Sequence, residues 1–357
     1  MTRSSLHHRA YAHIDLSIIA QNIAFLKKQG AVLAPVVKAN AYGLGSVPVV
    51  RKMLQCDVTT FFVAYFEEAV KLREAIVEPF DIYVLNDVKN YTAKDYGHYN
   101  IKPVLYDKEC LEHWRRKGEG LPCAVHVDTG LNRTGCAWQD SWQDLKVQIL
   151  MSHLCISEER ENSMNQKQLT LFKSIPIPPF VKRSLSNSGG IFLGDDYHFD
   201  LVRPGIACYG FKNFNHAEIR NCLTVWAPVL QVNQVQEGFV GYHMTHAITQ
   251  PTPVGTIGIG YADGVPYDIE HVCFGDYKAP VIGRVSMDVL TVDLTHVPEY
   301  LWHSTHAWVS DSWPGLSYQY ALRLGERISR FFSNDSCEVL QKVHKNGMHS
   351  FKTARNL

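Results

Sequence analysis

The spacing of hydrophobic positions changes character along the chain. Between His13 and about Tyr209, short apolar runs alternate with amphipathic stretches. Apolar runs that end at turn residues are typical of buried parallel strands. We predict eight strands in this region, over Ala31–Val37, Thr60–Tyr65, Asp81–Leu85, Lys102–Tyr106, Pro122–Asp128, Gln148–Leu154, Val181–Ser186 and Phe199–Val202.

The stretches between these runs have helical periodicity. Apolar residues recur at helical spacing in Leu16–Lys28, and Asp107–Lys117 opens on an aspartate of the kind that caps helices. Eight strand–helix units favour the α/β class and a (β/α)8 barrel, with a doubly wound open sheet as the alternative. The run Ala12–Asp15 precedes the first helix, so we predict that it is an extra strand that pairs outside the barrel.

After about Arg220 the pattern becomes that of a mainly β domain. Short β-branched runs punctuated by Gly, Pro and Asp predict strands over Val229–Val235, Gly241–Ile248, Val254–Ile259, Pro280–Val285 and Val289–Leu294, and a late helical period predicts a helix over Ser317–Phe332. The expected organisation is therefore an N-terminal tail (residues 1–12), a barrel (13–220), a mainly β C-terminal domain (221–333) with which strand 12–15 pairs, and a polar tail (334–357).

Composition narrows the classes of function. The 357 residues carry a formal net charge of +0, with no basic block, so neither nucleic acid nor an anionic membrane is an expected partner. The nine cysteines form no CxxC pair and no metal-ligand spacing, so no metal site is predicted. No secretory signal and no long apolar span are visible, and the expected location is the cytoplasm.

One lysine stands out at the end of the first predicted strand. The apolar run Ala31–Val37 ends on Lys38, and the small-residue, glycine-rich stretch Ala39–Gly45 follows. A lysine at the end of a buried strand is costly unless it reaches solvent, pairs with a charge or is covalently occupied. The strand alone does not decide among these three.

Further polar groups follow other barrel strands. Arg133 comes after strand five, His153 lies at the end of strand six, Ser188 comes after strand seven and Arg203 after strand eight, where Gly205 follows it closely. The carboxyl ends of barrel strands meet at one face, where chemistry and phosphate binding occur in this fold. Taken singly, each arginine is equally compatible with a surface loop, His153 is more often a structural residue, and a Ser-Gly loop is more often a turn.

Taken together, these segments resemble the alanine racemases. Val36–Gly45 is similar to the motif whose lysine binds pyridoxal 5'-phosphate covalently, and Asp200–Gly210 is similar to a segment whose arginine faces the pyridine nitrogen. The resemblance implies that the cofactor is held by Lys38, Tyr42, Arg133, His153, Ser188, Arg203, Gly205, Ile206 and Tyr318. A permanently charged arginine at the ring nitrogen keeps that nitrogen unprotonated, which suits a racemase better than a transaminase.

The resemblance also extends to the β domain. It implies that Lys38 and Tyr242 are the two acid/base residues, that Arg133, Tyr261 and Met287 contact the substrate alanine, and that a homodimer shares its active sites. The product, D-alanine, would supply peptidoglycan.

Three positions depart from the family pattern. Leu44 and Ser184 stand where histidines are usual, and His126 stands where many members have a lysine, often as its carbamate. Three alternatives stay open at this stage: a racemase for another or a broad range of amino acids, a fold-related decarboxylase, and a non-catalytic protein that binds pyridoxal phosphate.

Overall fold

The computed structural model describes residues 9–211, 216–302, 307–309 and 318–334. Contacts between Cα atoms divide these residues into a barrel unit, residues 19–210 and 216–220, and a β unit, which contains the other described residues. The predicted tails lie outside the described residues, except for positions 9–12 and 334.

The barrel unit is built on a parallel sheet. Strand β1, Tyr11–Asp15, belongs to the β unit. The six strands after it pair in sequence order, each parallel to the next. They are β2 (Thr60–Val63), β3 (Asp81–Val84), β4 (Lys102–Leu105), β5 (Cys123–His126), β6 (Val147–Met151) and β7 (Lys182–Ser184).

Two extended segments close this sheet into a ring, which confirms the barrel and excludes the open sheet. Leu33 bridges Val202, and Val36 bridges Phe62 of β2, both in parallel. The amide of Ala34 donates to the Val202 carbonyl at 2.8 Å. The first and eighth predicted strands thus form only isolated bridges, two in the first and one in the eighth. One reason is Pro35, which has no amide hydrogen to donate to a ladder.

Helices occupy most of the connections between the strands. Those predicted at Leu16–Lys28 and Asp107–Lys117 are confirmed, and the Asp107 side chain accepts a hydrogen bond from the Cys110 amide at 2.6 Å, as an N-cap does. The helices that begin before residue 220 are Leu16–Lys27, Ser46–Leu54, Phe66–Ala75, Ala93–His98, Lys108–Lys117, Ser163–Ser174 and Ile206–Tyr209. No helix among the described residues has the length and apolar character needed to cross a bilayer.

The β unit contains one large sheet and a hairpin. The nine strands of the sheet lie in the order β17, β1, β8, β16, β13, β14, β15, β12, β9, and β10 pairs with β11. β1 pairs in parallel with β17 and antiparallel with β8. The strands are β8 (Leu223–Ala227), β9 (Val229–Val235), β10 (Gly238–Val240), β11 (His246–Ile248), β12 (Thr252–Ile257), β13 (His271–Phe274), β14 (Tyr277–Ile282), β15 (Leu290–Asp293), β16 (Ala307–Trp308) and β17 (Ser329–Ser333), with helices Glu299–Trp302 and Tyr318–Arg323.

Two predictions for this region are wrong. Gly241–Ile248 is not a single strand. It contains a 3-10 turn, Tyr242–Met244, with left-handed backbone at His243 (φ 61°), and only its last residues form β11. The predicted helix Ser317–Phe332 ends at Arg323, and Ser329–Ser333 becomes β17 because it pairs with β1 along its whole length. Pairing with a distant strand overrides the local helical period; Ser317 itself lies outside the described residues.

The barrel core is formed by side chains that point inward from the strands. Phe62 is fully buried, and its ring stacks on that of Tyr83 with 5.1 Å between the centroids. The inward-facing cluster consists of Ala34, Phe62, Tyr83, Val104, Ala124, Ile149, Met151 and Leu201. Its members come from strands all around the ring, so the barrel interior is packed with side chains.

We predict that Phe62→Ala lowers the free energy of unfolding by about 3–5 kcal/mol, because it leaves a cavity in this cluster. Urea unfolding measures the loss. Val77→Ala is the matched control, since Val77 is 97% exposed and its truncation should change stability by less than about 0.5 kcal/mol. Equal effects of the two substitutions would contradict the assigned core.

Candidate active site

Lys38 opens a left-handed turn at the carboxyl end of the first barrel segment. Ala39, Asn40, Ala41 and Tyr42 all have φ between 51° and 56°, and Gly43 follows at 84°. Left-handed backbone costs about 1–2 kcal/mol for each residue with a Cβ atom. Four such residues in a row form only where surrounding contacts hold them, and strain of this kind concentrates at functional sites.

Positive charge surrounds the Lys38 side chain. Lys38 is half-buried, and its pKa is lowered by burial and by the charge of Arg133, while Glu68 opposes the shift. His153 interacts electrostatically with Arg203, Arg133 and Lys38. Burial together with these charges holds the pKa of His153 well below the usual range. The barrel mouth therefore brings together Lys38, Arg133, His153 and Arg203, as predicted from strand order.

Arg203 is a buried cation with no carboxylate partner among the described residues. It is 3% exposed, and its guanidinium donates to the carbonyl oxygens of Ser184, at 2.9 Å, and Ser152, and to the Ser184 hydroxyl. The Nδ1 atom of His153 lies 3.5 Å away. Burial lowers the pKa of Arg203 to about 9, which leaves it charged at neutral pH. This charge is held in place by backbone dipoles and is available to an anion or a ring nitrogen.

A small polar cradle lies beside this arginine. The Ser188 hydroxyl accepts hydrogen bonds from the amides of Gly205, at 3.0 Å, and Ala207, at 3.2 Å. The Ile206 amide between them has no hydrogen-bond partner in the part of the chain that the structure describes. A Cβ atom on Gly205 would lie 2.5 Å from the Tyr42 hydroxyl, so only glycine permits this approach. Hydroxyls and amides thus converge as they do at phosphate sites.

The loop that carries Arg133 is shaped by Asp128, which lies two residues after the end of β5. The Asp128 carboxylate accepts the amides of Gly130, Leu131 and Asn132 at 2.8–3.2 Å. Gly135 has φ 142°, and a Cβ atom there would lie 2.5 Å from the Asp128 amide nitrogen. These contacts fold the loop back on itself and leave the Arg133 side chain exposed.

The other predicted site residues belong to the β unit. Tyr261 and Met287 are brought together, because the Tyr261 and Ala262 amides donate to the Ser286 and Met287 carbonyls, each at 3.0 Å. Tyr242 lies on the turn between β10 and β11 and is 68% exposed. Tyr318 is the first residue of its helix and is half-buried.

Comparison with known proteins covers nearly the whole described chain. Residues 14–213 match the family model of the alanine racemase N-terminal domain, and residues 222–331 match that of the C-terminal domain. The chain is 37% identical to the alanine racemase of Rickettsia akari over 305 residues, which span 80% of this chain and 85% of that protein. The chain belongs to the alanine racemase family.

Solved structures of alanine racemases agree with this assignment. The crystal structure of alanine racemase from Bartonella henselae with covalently bound pyridoxal phosphate is 32% identical, with a TM-score of 0.83 over 91% of this chain and 99% of that one. The biosynthetic alanine racemase from Pseudomonas aeruginosa is 28% identical, with a TM-score of 0.80 over the same shares.

In this alanine racemase family member, several polar residues support the site that sequence reasoning did not single out. Glu68 and Asp128 hold the loops that carry Lys38 and Arg133. In the β unit, Arg327 bridges Asp263, at 3.0 Å, and Asp288, at 2.7 Å, and so ties the Tyr261 turn to the Met287 loop. The position of Glu68 in the first turn of its helix, where glutamates of capping boxes occur, is a weak sequence signal for its role. The other contacts join residues far apart in sequence.

His126 lies at the end of β5, buried beside the cationic cluster. Burial, together with the charges of Arg203 and Arg133, lowers its pKa to about 3, and Asp128 acts in the opposite direction. As pH falls below about 6.5, the unfolded chain binds a proton on this histidine and the folded chain does not until about pH 3. Folding is therefore weakened progressively as pH falls through this window.

We predict that, between pH 7 and pH 5, the free energy of unfolding falls by about 2 kcal/mol less in the His126→Asn variant than in the parent protein. Urea unfolding at both pH values measures this difference. The exposed His98 serves as the control, and His98→Asn should leave the pH dependence of stability unchanged. The assignment fails if the His126 variant loses as much stability in acid as the parent protein.

Proposed function

We propose that the protein interconverts L-alanine and D-alanine with pyridoxal 5'-phosphate as its cofactor. The observation that carries this proposal is the cluster of Lys38, Arg133, His153 and Arg203 at one face of the barrel, next to the cradle formed by Ser188 and Gly205. Membership of the alanine racemase family supports the reaction, and the Bartonella relative with covalently bound pyridoxal phosphate supports the cofactor.

The residues present fit this cofactor. A phosphate needs hydrogen-bond donors, and the Tyr42 and Ser188 hydroxyls and the Ile206 amide would supply them, with the Gly205 amide joining if it exchanges its bond to Ser188 for one to the phosphate. The absence of a Cβ atom at Gly205 lets the Tyr42 hydroxyl reach the start of helix Ile206–Tyr209, next to Ser188. Lys38 is the amine that would bind the cofactor covalently, and its lowered pKa favours the neutral, nucleophilic form.

The proposed chemistry is removal of the α-proton of alanine on one face and its return on the other. Bound pyridoxal phosphate supplies the electron-withdrawing ring that makes this proton removable. In the proposal Lys38 Nζ exchanges the proton of D-alanine and the Tyr242 hydroxyl that of L-alanine, since inversion requires bases on opposite faces. Arg203, charged and fixed by carbonyls, keeps a ring nitrogen beside it unprotonated, which disfavours transamination.

The remaining residues would select and hold the substrate. Arg133 has an exposed guanidinium at the barrel mouth, suited to the cofactor's oxygen and to the substrate carboxylate. Tyr261 and Met287, held together by backbone hydrogen bonds, would restrict the substrate side chain to the size of alanine. Tyr318 would add a phosphate contact.

The proposed active form is a homodimer in which Tyr242, Tyr261 and Met287 act in the partner subunit's site. Tyr242 is 68% exposed and Met287 is 53% exposed, and Phe239 and Met244 add further exposed apolar surface to the hairpin. The burial of such exposed apolar side chains would favour association. Within the cytoplasm, our proposed location, the product D-alanine would be available for peptidoglycan synthesis.

The reaction is tested by incubating the purified protein with L-alanine and pyridoxal phosphate and following the ratio of enantiomers. We expect equal amounts of D- and L-alanine at equilibrium, since the enantiomers have equal free energies. Lys38→Ala should abolish both racemisation and the visible absorbance of covalently bound cofactor. A chiral assay with serine and larger amino acids tests the restriction to alanine. Persisting absorbance in the Lys38 variant would refute the lysine assignment.

The shared site is tested by mixing two inactive variants. We predict that Lys38→Ala and Tyr242→Phe, each inactive alone, recover about a quarter of the parent activity after co-refolding, because half of the dimers are hybrids with one intact site. Each variant refolded alone is the control. No recovery in verified hybrid dimers would show that both residues act within one subunit.

A further inference from the structure

We propose that Glu68 is a positioning residue that holds Lys38 in its working orientation by clamping the left-handed turn after it. The inference rests on the proposed role of Lys38 as the covalent anchor of the cofactor. It is carried by three hydrogen bonds and by the charge of the residues around Lys38.

The Glu68 carboxylate joins two separate segments of the barrel. Its Oε1 atom accepts the amide of Ala39, the residue directly after Lys38, at 2.5 Å. Its Oε2 atom accepts the amides of Ala64, at 2.8 Å, and Tyr65, at 3.2 Å. One side chain thus ties the Lys38 turn to the end of β2 and to the first turn of helix Phe66–Ala75. A group with two acceptor oxygens is needed, since the two bound sides differ in direction.

The turn depends on such external contacts. Four consecutive residues with Cβ atoms, Ala39–Tyr42, are left-handed, so right-handed or extended backbone would be locally preferred. If the backbone of Ala39 relaxed to one of these conformations, the peptide bond that follows Lys38 would rotate. The Lys38 side chain would then move away from Arg133 and His153. A second side-chain contact, from Asn40 Oδ1 to the Ser46 amide at 2.9 Å, holds the far end of the turn. Glu68 holds the end next to Lys38.

Glu68 also differs in charge from the groups around Lys38. Arg133 faces Lys38 from the loop after β5, His153 from the end of β6, and Lys71 lies one helical turn from Glu68 with its Nζ 3.5 Å from Asn40 Oδ1. Burial and Arg133 lower the pKa of Lys38, and the carboxylate of Glu68 raises it. Removal of this charge should therefore move the protonation of Lys38 to lower pH, an effect that loss of packing alone would not produce.

The test compares Glu68→Gln with Glu67→Gln in the full-length protein. Glu67 is the neighbouring residue in the same helical turn, but it is exposed, and its carboxylate accepts a hydrogen bond from the Tyr91 hydroxyl. Covalent binding of pyridoxal phosphate is followed by visible absorbance, over a range of cofactor concentrations and of pH. For Glu68→Gln we expect about tenfold weaker cofactor binding. We also expect the pH at which the rate of covalent loading is half-maximal, measured at saturating cofactor, to move to a lower value. Glu67→Gln should match the parent.

A second variant covers the case in which Glu68→Gln unfolds. Glu68→Asp keeps the charge on a shorter side chain, so we expect it to keep the parent's pH midpoint but to bind cofactor weakly. Parent-like binding and an unshifted midpoint in Glu68→Gln, or full binding strength in Glu68→Asp, would overturn the proposal. Because the readout is cofactor loading at Lys38, it remains valid even if alanine is not the substrate. Absence of Lys38-dependent absorbance in the parent protein would instead refute the proposed function, and with it the premise of this test.

Discussion

The burial of Arg203, which has no carboxylate partner among the residues that the structure describes, is the constraint on which the barrel mouth depends. A charged group this deep is tolerated only when its hydrogen bonds are satisfied, and here two carbonyl groups and a hydroxyl satisfy them. Those acceptors are Ser184, at the end of β7, and Ser152, just after β6. The position of the guanidinium therefore fixes how these strands end. Burial, and after it the charge of this guanidinium, lowers the pKa of both neighbouring histidines, His126 and His153, which favours their neutral forms.

The face of the barrel that carries the excess positive charge also contains strained backbone. The Lys38 turn is left-handed over several residues, and the nearby loop to Arg133 turns through a glycine that no other residue could replace without a clash. Neither feature stabilises the fold. Carboxylates hold both segments, because Glu68 accepts the Ala39 amide in the Lys38 turn and Asp128 accepts the Gly130 amide in the Arg133 loop. A ligand with a phosphate and a carboxylate would neutralise the charge that these features hold in place.

Sequence patterns and tertiary contacts contributed unequally to the two units. In the barrel unit, continuous apolar runs of the kind found in buried strands located all eight positions in the ring. The order of these strands predicted that Lys38, Arg133, His153 and Arg203 lie at one face. In the β unit, Gly241–Ile248 was misassigned because left-handed backbone at His243 interrupts an otherwise strand-like run. The end of Ser317–Phe332 was misassigned because its pairing partner, β1, lies more than three hundred residues earlier.

By itself, the sequence determined the strand order of the barrel, the residues at its carboxyl ends and the family to which they are similar, because hydrophobic periodicity and short motifs are local properties. Only the tertiary structure decided how those residues are held. The carbonyls around Arg203, the Ser188 contact with the Gly205 and Ala207 amides, and the Glu68 clamp on the turn after Lys38 each join segments distant in the chain. Such contacts follow from the closure of the ring, which no local pattern encodes.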